Sequence, residues 1–173
     1  MAKTISPTGR EIYFDRDDII VSKTDLKGRL TYANELFQTL AGYSESELLG
    51  KQHNIIRHPD MPRAVFKLLW DTILGGGEIF AYVKNMSRNG DHYWVLAHVT
   101  PSFDASGQMI GFHSNRRAPD RKAVETITAV YADLLRIEAQ HRNGKDALAA
   151  STQHFQEYVS TTRKSYDELV LSL

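Results

Sequence analysis

The sequence predicts an α+β domain built on one five-stranded antiparallel sheet, with short helices on one face and more helices after it. Two strand-like runs precede a block of short helical segments, and three longer strand-like runs follow that block. Turn residues separate neighbouring strands, and from Asp120 onward the apolar spacing becomes helical. Strands that flank a helical block are typical of antiparallel α+β domains with the helices on the sheet.

The first half of the domain is predicted from turn and capping signals. Residues 19–24 and 29–33 are rich in β-branched side chains and are separated by a turn-like Asp-Leu-Lys-Gly segment. Asn34 is then placed as the N-cap of a short helix. The Ser-Glu-Ser-Glu segment at 44–47 is a capping box that starts another short helix.

The second half of the sheet is predicted from three aromatic and β-branched runs. They cover residues 79–86, 92–103 and 109–116. Asn89-Gly90 between the first two is a hairpin signal. Tyr93 and Trp94 are adjacent on one strand, so their side chains point to opposite faces and at most one can meet a ligand.

The segment from His53 to Trp70, HNIIRHPDMPRAVFKLLW, carries the most specific chemistry in the chain. Pro59 and Pro62 restrict the backbone around three polar residues at 57, 58 and 60. Pro62 then opens a helix with apolar residues at helical spacing. This polar segment is either a salt-bridged surface turn or one wall of a ligand cleft, and local sequence alone favours neither.

Together, HNIIRHPDMP, the helix that ends at Trp70 and VKNMSRNGDHYWV resemble the flavin-binding PAS domains of bacterial aerotaxis receptors. The resemblance extends more loosely over residues 19–117. It implies a PAS sensor domain at 19–117, with residues 1–18 as an N-terminal cap or tail and 118–173 as a C-terminal helical interaction segment. It also implies FAD as the cofactor.

The resemblance, with the chemistry of the residues, indicates a set of cofactor-binding side chains. They are Asn34, His53, Arg57, His58, Asp60, Trp70 and Asn85. An amide such as Asn85 complements the donor and acceptor edge of a flavin ring, although a cross-strand contact would also explain it. Arg57 can hold phosphate through two donors, with Asp60 as the partner that orients it. The N-cap position already explains Asn34, and Trp70 and His53 are more often core residues than ligand contacts.

Composition limits the classes of function. Lys plus Arg and Asp plus Glu both number 21, so zero net charge argues against nucleic acid or an anionic membrane surface as a partner. Neither a membrane-spanning run nor a signal peptide is found, so we expect a cytoplasmic protein without membrane insertion. The absence of cysteine excludes disulfides, Cys-ligated zinc, iron–sulfur clusters and a flavin–thiol adduct.

The C-terminal residues predict two amphipathic helices. Val124, Ile127, Tyr131 and Leu134 recur in steps of three and four, and the same steps resume after a break at Asn143-Gly144. These helices either fold back on their own domain or pair with another chain. We favour pairing with another chain.

These observations predict a non-enzymatic cytoplasmic redox or oxygen sensor that binds FAD. We expect it to form a homo-oligomer and to signal to a chemotaxis-type protein or a membrane receptor in trans. A haem-binding gas sensor with one axial histidine and a ligand-free PAS dimerisation module are the alternatives.

Overall fold

A computed structural model describes residues 5–173, and it contains one antiparallel sheet in the order β2-β1-β5-β4-β3. The strands are β1 Ile20–Thr24, β2 Leu30–Ala33, β3 Ile79–Met86, β4 His92–Phe103 and β5 Met109–Arg117. All five strands lie within a few residues of the predicted runs. The predicted α+β class and the five-stranded antiparallel sheet are therefore confirmed.

Helices occupy the connection between β2 and β3 and the chain after β5. They are α1 Glu35–Ala41, α2 Glu45–Leu48, a 3₁₀ helix at His53–Ile56, α3 Arg63–Leu74, α4 Arg121–Ala139, α5 Gly144–Thr161 and α6 Tyr166–Leu171. The capping box starts α2 as predicted, whereas Pro62 is the N-cap of α3 instead of its first helical residue. The prediction of only two C-terminal helices is wrong. Arg163 adopts a left-handed conformation, φ 56°, that ends the second helix, and a Ser165–Glu168 capping box starts α6.

The two faces of the sheet have different coverings. Tyr93 lies on the face packed by α1 and α3, here called the inner face, and is fully buried. Trp94 lies on the outer face, where its ring stacks on Tyr131 of α4 at a centroid distance of 6.2 Å. The two side chains point in opposite directions, as the strand period predicts.

The C-terminal helices wrap around the free edge of β3. The Tyr131 hydroxyl donates to the backbone oxygen of Tyr82 at 2.7 Å, and the Tyr82 hydroxyl donates to the oxygen of Val170 at 3.3 Å. α5 packs against both α4 and α3, and α6 packs against β3. The apolar stripes thus bury themselves on their own domain, which is the fold-back arrangement. Pairing of these helices with a second chain stays a prediction.

Residues 8–12 lie against the turn between β3 and β4. The Thr8 amide donates to the oxygen of Gly90 at 2.9 Å, and the Ile12 amide donates to the oxygen of His92 at 2.7 Å. Arg10 and Thr8 both bond the buried Asp91 carboxylate. Among the helices of residues 5–173, none combines the length and the apolarity that crossing a membrane requires.

Candidate functional site

A cavity of about 240 Å³ lies between α3, the 3₁₀ helix and the inner face of the sheet. Its apolar walls are Ile56, Phe66, Leu69, Trp70, Ile73, Val83, Ala97, Val99 and Phe112. Its polar and charged lining consists of Ser22, Thr24, Gln52, His53, Asn54, Arg57, Asn85, Ser114 and Arg116. Gln52 and Asn54 are also exposed, so they mark where the cavity meets solvent.

Trp70 and Gly28 together shape one end of the cavity. The Trp70 ring meets Phe112 edge-on at a centroid distance of 5.5 Å. Gly28 has φ +73°, and a Cβ there would lie 3.1 Å from the indole. A glycine is therefore required both by the backbone conformation and by the close approach of Trp70.

Three buried polar atoms among the lining residues have no hydrogen-bond partner in the described chain. They are Nδ2 of Asn85, Oγ of Ser114 and Nη1 of Arg116. Buried polar groups in folded proteins are nearly always paired, because an unpaired group costs roughly 1–3 kcal/mol. Three unpaired groups around one cavity indicate a site built for a polar ligand.

Arg116, which is charged, and His53, which is neutral, form the polar centre of the cavity. Nη2 of Arg116 donates to Nε2 of His53 at 2.6 Å and to Oγ of Ser22 at 2.8 Å. Burial, together with the positive charge of Arg116, lowers the pKa of His53 to about 3. The ring is therefore neutral, and Nε2 can accept the hydrogen bond from Arg116. Burial lowers the pKa of Arg116 to about 10, which leaves it charged near neutral pH.

Arg57 lines the cavity, but not in the way the sequence predicts. Its guanidinium lies 4.4 Å from the centre of the Phe66 ring and donates to the oxygen of Met61 at 3.0 Å. The prediction that Asp60 orients Arg57 is wrong, because Asp60 pairs with Lys84 at 2.7 Å instead. Burial lowers the pKa of Arg57, and the charge of Glu138 opposes that effect.

His58 and Asp60 lie outside the cavity lining, contrary to the prediction that they bind the cofactor there. His58 is buried beside His92, with ring centroids 5.6 Å apart, and its Nδ1 accepts from the Asp60 amide at 3.1 Å. Burial and the charge of Lys84 lower the pKa of His58 to about 4. The two side chains stabilise the turn that carries Arg57, so their effect on the cavity is indirect.

Asn34 also lies outside the cavity, and structural hydrogen bonds account for its whole side chain. Its oxygen accepts from the amides of Val21 at 3.0 Å and Phe37 at 3.1 Å, and its nitrogen donates to the oxygen of Ile19 at 2.8 Å. It caps α1 and joins that helix to β1. Of the seven predicted residues, the cavity brings together four: His53, Arg57, Trp70 and Asn85.

Arg116, Ser22 and Ser114 line the cavity but are not among the residues predicted from the sequence. A signal for two of them was present, because Phe112, Ser114 and Arg116 alternate along β5 and the first is an obvious core residue. Strand periodicity therefore places a serine and an arginine on the buried face. An inward arginine in a strand without a matching acid is the signal that could have identified the site.

Comparison with known proteins agrees with this architecture. The family model for the PAS fold matches residues 30–116, about half of the chain. The chain therefore belongs to the PAS fold family. The aerotaxis receptor of Escherichia coli is 38% identical over 118 residues, which cover 68% of this chain and 23% of the receptor. This match confirms the resemblance to the PAS domains of aerotaxis receptors.

A more distant relative in sequence and a solved structure with a similar fold also match the chain. The nitrogen fixation regulatory protein of Klebsiella pneumoniae is 27% identical over 95 residues, which cover 55% of this chain and 19% of the relative. A light-oxygen-voltage domain studied with a flavin analogue superposes with a TM-score of 0.56 at 16% identity, covering 66% of this chain and 86% of that one. The chain thus spans about a quarter or less of these curated relatives, and the last match describes the fold alone.

Proposed function

We propose that the chain is a flavin-binding PAS sensor domain that holds FAD in the inner-face cavity and reports the redox state of the flavin. The observation that carries the proposal is one cavity with apolar walls and three unpaired buried polar groups. A flavin ring needs apolar walls for its faces and hydrogen-bond donors for its pyrimidine edge.

The size of the cavity fits a ring system better than a whole dinucleotide. Pockets that enclose drug-sized ligands span roughly 300–1,000 Å³, whereas this cavity measures about 240 Å³. We therefore expect the ring to bind inside, between Trp70 and the sheet, and the remainder of FAD to extend towards solvent. Of the two arginines in the described lining, Arg57 is the one available to the phosphates, because it is partly exposed whereas Arg116 is buried.

The relatives support a sensory role. An aerotaxis receptor is 38% identical over 118 residues, which cover 68% of this chain. We therefore propose a cytoplasmic redox or oxygen sensor for aerotaxis that acts through a chemotaxis-type partner or a membrane receptor in trans. The flavin supplies the redox chemistry, and the residues of the cavity bind it, exclude water and place donors at its edge.

The C-terminal helices are the proposed output of the sensor. Glu138 at the end of α4 accepts from the Arg63 amide of α3 at 2.8 Å and from the Ser151 hydroxyl of α5 at 2.9 Å. The same carboxylate acts electrostatically on Arg57 in the cavity wall. A ligand that draws Arg57 towards itself therefore changes the charge balance at the junction of three helices. We propose that partner binding or self-association reads this change.

An absorption spectrum of the purified protein, followed by identification of the released chromophore, tests the proposal. Flavin bands and released FAD are the expected result. A Soret band would instead support a haem-binding sensor. In the structure, however, the Arg116 guanidinium donates a hydrogen bond to Nε2 of His53, the atom that an axial ligand would use. A colourless protein that takes up no added flavin would support the alternative of a ligand-free PAS dimerisation module.

A further inference from the structure

Arg116 is a buried cation whose charge has no counter-ion in the described part of the chain. Arg116 is only 4% exposed to solvent. Its hydrogen bonds go to Ser22 and to the neutral ring of His53. Tyr93 is the ionisable neighbour that acts on the charge of Arg116. Burial raises the pKa of Tyr93, so its hydroxyl is protonated and cannot neutralise Arg116.

The cavity wall likewise offers no negative charge. The described lining residues include Arg57 and Arg116 but neither aspartate nor glutamate. A buried charge is strongly unfavourable unless it is paired. The missing negative charge must therefore come from whatever the cavity binds.

The other unpaired atoms point to the same chemistry. Nη1 of Arg116 and Nδ2 of Asn85 can only donate hydrogen bonds, and the Ser114 hydroxyl can donate as well. A ligand that satisfies them must present acceptor atoms, and a ligand with negative charge would also balance the charge of Arg116. A neutral donor-rich ligand would leave the same atoms unpaired.

We propose that Arg116 is the anion-stabilising residue of the cavity and makes it bind the reduced, negatively charged flavin more tightly than the oxidised, neutral flavin. This inference rests on the proposed flavin function. Uptake of two electrons and one proton converts the neutral oxidised ring to a ring with one negative charge, and a nearby cation favours that product. In the test below, dithionite supplies the electrons. Arg116 thus raises the reduction potential of the bound flavin.

The test compares Arg116→Met with Arg117→Gln and Arg116→Lys. Arg117 is the next residue on β5, is exposed and faces the opposite side of the sheet, so its variant makes the same change in net charge away from the cavity. Arg116→Lys keeps the charge but loses the planar fork. Ser22 and His53 still have each other at 3.2 Å when the arginine is removed.

In the flavin-loaded protein, we expect Arg116→Met to lower the preference for reduced over oxidised flavin by about tenfold or more. This corresponds to a potential about 30 mV more negative for a two-electron couple. Arg117→Gln should match the wild type, and Arg116→Lys should lie between the two. A loaded Arg116→Met protein with the wild-type potential would overturn the proposal.

A second measurement separates failure of this proposal from failure of the flavin function. In the flavin-free protein, Arg116→Met should unfold at a temperature equal to or above that of the wild type, because an uncompensated buried charge has been removed. A lower unfolding temperature, or a variant that does not fold, would show that Arg116 is a structural residue and would overturn the inference. A wild-type protein that binds neither oxidised nor reduced flavin would refute the proposed function, whereas the flavin-free comparison would still decide whether Arg116 lacks a counter-ion.

Discussion

The sequence predicts both Asn34 and Asn85 as site residues, but in the structure Asn34 caps a helix whereas Asn85 lines the cavity, and a pair of alanine variants separates them. Asn34→Ala removes an N-cap whose oxygen accepts two backbone amides and whose nitrogen donates to a third backbone group. Losing such a cap costs about 0.5–2 kcal/mol of stability, and the amide of Val21 in β1, which loses its acceptor, adds to that cost. We expect a total loss of roughly 1–3 kcal/mol, or a fall of about 2–12 °C in unfolding temperature.

Asn85→Ala should behave in the reverse way. Its side-chain nitrogen is buried and unpaired, so its removal should change the stability of the flavin-free protein by less than about 1 kcal/mol. The ligand should lose one hydrogen bond worth about 0.5–1.5 kcal/mol, which weakens FAD binding roughly 2- to 13-fold.

Fluorescence titration with FAD and thermal unfolding without FAD measure both quantities on the same samples. Asn34→Ala should bind FAD like the wild type at temperatures where it is folded. The reasoning is refuted if Asn85→Ala loses stability as Asn34→Ala does while its affinity for FAD is unchanged.

Three further predictions follow from single features of the structure. Gly28→Ala should lower flavin affinity and reduce the free energy of unfolding by about 1–2 kcal/mol, because the new methyl group presses on the indole and the backbone is strained. Gly50 is also at positive φ but has open space around it, so Gly50→Ala is the matched control in the flavin titration. The pKa of His58 is lowered to about 4 in the folded state, below its value of about 6.5 in the unfolded state. Stability should therefore be full above pH 6.5 and fall between pH 6.5 and 4, and the urea midpoint of His58→Gln should fall less over this range than that of the wild type. Glu138→Gln should destabilise the junction of α3, α4 and α5 by about 1–2 kcal/mol in urea unfolding, whereas Asp133→Asn, which breaks only an exposed pair on α4, should cost less than about 1 kcal/mol.

Local signals were sufficient to predict all five strands and most of the helices of this fold. The β1–β2 and β3–β4 turns, the caps of α1 and α2 and the opposite directions of Tyr93 and Trp94 all depend on residues close together in sequence. The resemblance to known PAS domains added the identity of the fold. The second break in the C-terminal helices was missed, although its capping box is also a local signal, and the 3₁₀ helix at His53–Ile56 was not predicted.

Side-chain partners across the fold could not be predicted in the same way. Asp60 is three residues from Arg57 in sequence, yet it pairs with Lys84, because the turn at 57–61 lies along the free edge of β3. The contact of Arg116 with His53 joins residues 63 positions apart. Such pairings depend on strand order and on the path of the connecting helices, which no local pattern specifies.

The central claim is that a flavin ring occupies the cavity between α3 and the inner face of the sheet, and a cavity-filling variant tests it most directly. Ala97 lies in β4, is buried and lines that cavity. The measurement is the amount of FAD bound per chain, in the wild type and in Ala97→Phe, at a temperature where both remain folded. We predict that the wild type binds one FAD per chain and that Ala97→Phe binds none. Equal FAD occupancy in both proteins would contradict the claim and place the flavin elsewhere.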